Sequence, residues 1–180
     1  MTTLGIILSS ARPHRVGAQV AEWVRDSVPA GTEVDLIDLA ALALPAFDEP
    51  DSPKAGRPRT TAHARAWAER IDALDAVVIL TPQYNGSYPG ALKNAIDYLY
   101  SEWADLPTVL VGYGWGAASE VLPVLEILMA RVGADLVASI GLGFREDLSV
   151  DGEMFVAEEK TALLRERLAA IAAHAPVSVG

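Results

Sequence analysis

"AVVILTPQYNGSYPGALKNAIDYL", residues 76–99, decides the fold. Its first five residues, Ala76 to Leu80, are apolar at every position, which marks a short strand buried on both faces. Its end reads as a helix from Gly90 to Tyr100, with Leu92, Ala95, Ile96 and Leu99 on one face and Lys93 and Asp97 placed to pair four residues apart. A two-sided strand followed directly by a helix is the unit of a parallel sheet covered by helices. The loop between them holds more than a turn needs: Pro82, Gln83, Tyr84, Asn85 and Gly86 put a ring beside two amides, with a second proline at Pro89.

The same unit recurs along the chain. Strands are expected at Thr3–Leu8, Glu33–Leu39, Ala76–Leu80, Pro107–Tyr113 and Asp135–Ile140. Helices are expected over 16–28, where Val16, Val20, Trp23 and Val24 share a face, and over 61–73, 90–100, 119–132 and 156–173. Five parallel strands with right-handed crossovers favour an α/β three-layer sandwich of flavodoxin-like order 2-1-3-4-5, as a single domain over 1–180. Ligands of such sheets bind beyond the C-terminal strand ends at the switch point, so the loops after the first, third and fourth strands are the ones to read. The Pro-rich and charged segment 41–59, with Asp48, Glu49 and Asp51, reads as a solvated loop, with a lid as the minority reading.

Composition excludes several classes. A chain of 180 residues, 51% hydrophobic, has enough material for a core. A net charge of −10 argues against nucleic acid as a partner. There is no cysteine, so disulfides and thiol catalysis drop out. No apolar run reaches the length of a bilayer span, and the start lacks the basic residues of a signal peptide, so no membrane association and a cytoplasmic location are expected. His14, His63 and His174 lack metal-ligand spacing, so no metal is expected.

The loop after the first strand, "SSARPHRVG" (9–17), leads into a helix N-terminus, where free N–H groups and the dipole favour an anion. Ser10 adds a hydroxyl, Arg12 and Arg15 add charge in an acidic chain, and Val16 and Gly17 open the helix, the glycine permitting close approach. The plainer reading is a capped turn with two arginines in solvent. The loop after the third strand offers the Tyr84 ring and the Asn85 amide to a planar ligand, or else a Tyr packed under its own loop. The loop after the fourth, "GYGWGAAS" (112–119), holds Tyr113, Gly114 and Trp115; so large a ring in a Gly-rich turn should rest on a ligand, a partner or a neighbouring loop.

Three stretches together resemble the NADPH-dependent FMN reductases. "SSARPHRVGAQVAEW" is similar to that family's phosphate loop, with Ser9 where Gly is usual. "PQYNGSYPGALKNAIDYL" is similar to its flavin loop, with Gln83 where Glu is usual; "VGYGWGAAS" resembles its weaker Gly-rich loop. The resemblance implies an FMN-dependent NAD(P)H oxidoreductase that reduces a quinone-like, azo or flavin acceptor in a ping-pong scheme, with NADPH or NADH as donor and no catalytic side chain required for the hydride. It implies that Ser10, Arg12 and Arg15 hold the FMN phosphate, that Pro82, Gln83, Tyr84, Asn85 and Gly86 embrace the ring, and that Tyr113, Gly114 and Trp115 close the other side. It also implies a homodimer or homotetramer. The helices over 90–100 and 119–132 supply the seam in this reading, through Leu125 and its apolar neighbours, with Trp103 or Trp115 close by. A flavodoxin-type electron carrier, a tailoring reductase of one metabolite and a flavin-free interaction domain remain as alternatives.

Overall fold

The computed structural model describes residues 2–174, so the outer residues of the domain expected over 1–180, 1 and 175–180, lie outside the described residues. Five parallel strands form one sheet in the order β2-β1-β3-β4-β5, as expected. The strands are β1 Thr3–Leu8, β2 Glu33–Asp38, β3 Ala76–Pro82, β4 Pro107–Gly114 and β5 Asp135–Gly143. The helices are α1 Gly17–Arg25, α2 Leu39–Leu42, α3 Ala62–Asp72, α4 Gly90–Asp97, α5 Val121–Arg131 and α6 Glu158–His174.

Side-chain alternation along the strands sorts the core into two halves. Ile6, Leu8, Val78, Leu80, Val109 and Val111 pack with Val20 and Val24 of α1 and Leu164 and Leu168 of α6. Ile7, Val77, Ile79 and Leu110 pack with Trp67 and Ile71 of α3, Leu92 and Ile96 of α4, and Leu125 and Met129 of α5. Every residue of β3 is buried, which is why its sequence shows no polar alternation. Trp23 completes the α1 face and ties it to α6 through Nε1–H to Thr161 Oγ1 at 3.2 Å.

Several boundaries differ from expectation, and three of the differences extend strands toward the site. β3 continues to Pro82, β4 to Gly114 and β5 to Gly143, because ladder pairing carries each strand past its apolar run. α5 begins at Val121 because residues 115–118 form a tight turn in which Ala117 and Ala118 take left-handed backbone angles. β2 stops at Asp38, whose carboxylate accepts from the Ala40 N–H at 3.0 Å and starts the short α2.

The segment expected as a solvated loop over 41–59 is largely exposed, as expected, but it is also strapped down. Glu49 accepts from the N–H groups of Thr60 and Thr61, both at 2.8 Å, and from their hydroxyls at 2.9 and 2.7 Å. These four bonds hold its carboxyl down to about 2. Asp48 accepts from Tyr98 OH and meets His63 Nε2, both at 2.9 Å. Asn94 of α4 pins the segment's start, donating to Pro45 O at 2.7 Å and accepting from the Phe47 N–H at 2.9 Å. Of the three acids, Asp48 and Asp51 stay exposed as expected, Asp51 beside the exposed Arg57.

Two expectations about the seam are also corrected. Trp103 is fully buried, edge-on to Trp67, with its Nε1–H bonded to Ile96 O at 3.2 Å. Leu125 is likewise fully buried and faces the sheet. The apolar surplus of α5 points outward through Val124 and Ile127, 41% and 69% exposed, because these positions lie off the buried stripe of Val121, Leu125 and Met129.

Candidate functional site

A cleft of about 290 Å³ opens at the C-terminal ends of β1, β3 and β4. Nine of the sequence-chosen residues line it: Ser10, Arg12, Val16, Pro82, Gln83, Tyr84, Tyr113, Gly114 and Trp115. Phe144 and Val150, from the segment after β5, complete the wall. A larger hollow of about 470 Å³ lies at the opposite strand ends, near Asp72, Asp75, Glu102 and Asp105. It is the wrong end of an open α/β sheet for a ligand crevice, and its carboxylates would repel an anion.

The first corner is built around Tyr84. Its hydroxyl shares a 2.7 Å hydrogen bond with Ser10 Oγ and accepts from Arg12 Nε at 3.1 Å, while the Arg12 guanidinium lies 5.3 Å from the Tyr84 ring centroid. Beside this corner α1 starts with no side-chain cap and no acidic residue in its first turn, so its N-terminal N–H groups stay available to an anion. Ser9 Oγ is buried below without a hydrogen-bond partner. A Cβ on Gly17 would come within 2.5 Å of Leu8 Cδ1 and 2.7 Å of Tyr113 OH, so only glycine lets the helix start seat this deeply.

Arg15 departs from its expected place on the phosphate. Its guanidinium forks onto Asp38, with Nη1 at 2.8 Å from Oδ1 and Nη2 on Oδ2, and Nη1 also donates to Ser10 O. The bidentate carboxylate at the end of the neighbouring strand outcompetes the open cleft for this cation. The pair lowers the Asp38 carboxyl and raises the Arg15 guanidinium from their usual values. Arg15 therefore holds the loop in shape and does not line the cleft.

The second corner answers why Asn and Gly follow Tyr84. Asn85 and Gly86 both have positive φ, 50° and 77°, and Tyr84 and Ser87 exchange both backbone hydrogen bonds at 2.8 and 3.0 Å. This is a two-residue hairpin of the type that asks for Asn-Gly. It lifts Asn85 and Gly86 out of the cleft wall and turns the Tyr84 side chain inward toward Ser10. Gln83 points its amide away from the cleft: Oε1 accepts from the N–H groups of Glu120 and Val121 at 3.1 and 3.3 Å, and Nε2 donates to Glu120 Oε2 at 3.3 Å. It thus caps α5, and a carboxylate at position 83 would face that of Glu120.

The third corner is aromatic. Tyr113 is buried at the floor, its hydroxyl completing no hydrogen bond, and burial pushes that hydroxyl well above its ordinary pKa. Trp115, 55% exposed, rests edge-on against Phe144 with ring centroids 5.4 Å apart. The expectation of a neighbouring loop beneath Trp115 holds. Sequence reasoning missed Phe144 and Val150 because β5 was ended at Ile140; an aromatic soon after a strand end, in "GLGFRED", was the available signal.

The corners match the parts of FMN: an uncapped helix start with a cation, two hydroxyls near it and an orphaned buried hydroxyl below, then a flat wall of Pro82, Tyr113 and Gly114. Among the described residues no group of three His, Cys, Asp or Glu could hold a metal ion.

Comparison with known proteins points the same way. Residues 2–143 match the family model described as NADPH-dependent FMN reductase. The chain is 36% identical over 168 residues to an NAD(P)H-dependent FMN reductase of Schizosaccharomyces pombe, covering 89% of this chain and 82% of that one. It is 30% identical over 151 residues to the NAD(P)H-dependent FMN reductase LOT6 of Saccharomyces cerevisiae, covering 77% and 79%. A quinone reductase of Escherichia coli K12 is 40% identical over 93 residues, 52% of this chain and 47% of that one. In structure, the flavoenzyme NAD(P)H:acceptor oxidoreductase FerB of Paracoccus denitrificans superposes with a TM-score of 0.70 over 95% of both chains at 24% identity, a likeness of fold.

Proposed function

The chain belongs to the NADPH-dependent FMN reductases, and from that premise we propose how its residues serve an FMN-dependent NAD(P)H oxidoreductase acting on a quinone-like, azo or flavin acceptor. FMN, when bound, supplies a ring that takes up two electrons as hydride from NAD(P)H and gives them to the acceptor. For a quinone the balance is NAD(P)H, one proton and quinone giving NAD(P)⁺ and hydroquinone.

Arg12, Ser10, the Tyr84 hydroxyl and the open start of α1 would hold the phosphate, and Val16 and Gly17 would let it come close to the backbone. Pro82, Gln83 and Tyr84 would flank the ring, with Asn85 and Gly86 at the rim of their hairpin. Tyr113 and Gly114 form the floor and Trp115 the far wall. No side chain in the cleft is placed as a proton donor or acceptor to the ring; the raised Tyr113 hydroxyl stays protonated at neutral pH and can only donate or accept a hydrogen bond. Donor and acceptor use one opening in turn, which gives ping-pong kinetics. Related proteins are named for quinones, as 2-hydroxy-1,4-benzoquinone reductase and quinone reductase, and a fold relative for azo compounds.

The protein acts in the cytoplasm as a homodimer or homotetramer. No helix among the described residues is long and apolar enough to cross a membrane, and the outward pair Val124 and Ile127 on α5 supports a subunit seam there.

The observation that carries the reading is the Ser10–Tyr84–Arg12 corner beside an uncapped helix start. Fluorescence titration tests it: FMN should bind far more tightly than riboflavin, and equal affinity would sink the phosphate assignment. Initial-rate plots against NADPH at several quinone concentrations should be parallel; intersecting lines would exclude alternation at one site.

A further inference from the structure

Arg145 presents an exposed cation beside the cleft, next in sequence to the lining residue Phe144 and over the ring of the lining residue Trp115. Its guanidinium lies 5.1 Å from the centroid of the Trp115 ring and makes no hydrogen bond or ion pair among the described residues. Its sequence neighbour Glu146 does not neutralise it, because the Glu146 side chain folds back over Gly143. Arg12, the other arginine at the cleft, is turned toward Tyr84 and Ser10.

The turn that presents Arg145 is anchored from beneath. Arg145 has φ 74°, a left-handed backbone angle, and its N–H donates to Leu148 O at 2.8 Å. The next turn of chain is fixed by Asp147, 2% exposed, which accepts from the Gly143 N–H at 2.8 Å and from Lys160 Nζ at 2.7 Å. Lys160 also donates to Gly141 O at 3.0 Å, so α6 clamps the end of β5 and the turn together. The turn that carries Phe144 and Arg145 is thus fixed beside the Trp115 ring.

A guanidinium lying over an aromatic ring keeps its in-plane N–H groups directed outward, suited to a planar anionic group. The adjoining surface of Trp115, Phe144 and Val150 is apolar and suited to a flat ring. Because the protein carries a net charge of −10, an anion gains little from the general field and must be drawn by a local cation. From this we infer that Trp115, Phe144 and Arg145 form an acceptor subsite selective for planar aromatic acceptors that carry an acidic group: a ring sulfonate, a carboxylate or an ionised hydroxyl. The assignment rests on the reading of the cleft as an FMN site, since the acceptor must lie against that ring.

The test uses FMN-loaded protein and two probes of similar size, anthraquinone-2-sulfonate and 2-(hydroxymethyl)anthraquinone, with binding to the oxidised protein measured by calorimetry. Arg145→Gln should raise the Kd of the sulfonate about tenfold, the loss of one charge-assisted pairing, and leave the neutral probe within about twofold. Trp115→Leu should weaken both. Arg145→Lys should recover part of the sulfonate affinity. In the unaltered protein, added salt should weaken the sulfonate and spare the neutral probe, which tests the idea even if a variant misfolds. FMN content and the kcat/KM values for NADH and NADPH should not change in Arg145→Gln. Equal effects on the two probes, or none, would overturn the subsite. A lowered kcat/KM for NADPH alone would overturn it too, by giving Arg145 to the donor's extra phosphate. A protein that takes up no FMN would overturn the cofactor reading and this one with it, whereas an FMN-loaded protein indifferent to the sulfonate would overturn this one only.

Discussion

Tyr84 and Ser10, 74 residues apart, share a hydroxyl–hydroxyl hydrogen bond of 2.7 Å that joins the loop after β3 to the loop after β1. Arg12 donates to the same tyrosine oxygen at 3.1 Å. On the proposed reading the tyrosine acts through its hydroxyl at the anion corner more than through its ring at the flat wall. Tyr84→Phe keeps the ring and deletes the hydroxyl. It should weaken FMN by about 1.5–3 kcal/mol, the value of a hydrogen bond to a charged group. The visible spectrum of the bound flavin should stay the same. A shifted spectrum at unchanged affinity would return Tyr84 to a stacking role.

The two arginines of the first loop should separate cleanly. Arg12 spends one hydrogen bond on Tyr84 and is otherwise exposed, so Arg12→Ala should cost FMN binding about 1.5–3 kcal/mol and barely move the melting temperature of the FMN-free protein. Arg15 is forked onto Asp38 and bonded to Ser10 O, so Arg15→Gln should lower the stability of the FMN-free protein by about 1 kcal/mol, a partly exposed pair being worth little more. Urea unfolding of both variants decides; identical stability losses would mean that Arg15 has no special structural role.

The contrast between these arginines shows where sequence stops being legible. The strand order, the two-sided core and the three loops follow from apolar runs and helical spacing in Ala76–Leu80, Leu92–Leu99 and their counterparts. That Arg15 belongs to Asp38 does not follow, because the partner lies on β2, brought alongside only by the sheet. The same holds for Gln83, whose role as a cap on α5 depends on a residue 37 positions away. Glu49 looked solvated because its four donors sit at the start of α3, outside its own segment. Phe144 and Val150 escaped because pairing with β4 carries β5 beyond its apolar run.

Glu49 predicts an acid-sensitive strap. Its carboxyl is held at about 2 in the folded chain, first by the Thr60 N–H and then by the Thr61 hydroxyl, against about 4.3 unfolded. A folded value below the unfolded one means stabilisation that is complete above about pH 4.3 and lost as pH falls toward 2. Glu49→Gln should therefore melt at a lower temperature than the unaltered protein at pH 6, and the two melting curves should converge as pH drops through that window. A gap that stays constant from pH 6 to pH 3 would show that the carboxylate charge is not what holds the strap.

The outer face of α5 gives the last prediction. Ile127 is 69% exposed and Val124 41%, whereas Leu125 between them is fully buried against the sheet. If the subunit seam uses this face, an isologous contact brings each patch against its own copy or a neighbouring apolar surface. A charge at Ile127 is then buried against an apolar partner in the assembly but solvated in the monomer. Ile127→Glu should split the assembly and leave monomer stability within about 0.5 kcal/mol, as for other surface substitutions. Leu125→Glu should do the opposite kind of harm, because it places a carboxylate inside the core of each subunit and should unfold the chain or cost it several kcal/mol, about 4 or more. Analytical ultracentrifugation and thermal melting of the two variants separate assembly from folding. A monomeric unaltered protein at micromolar concentration, or an Ile127→Glu variant that sediments like it as a dimer, would remove the seam from α5 and leave the exposed pair as ordinary surface.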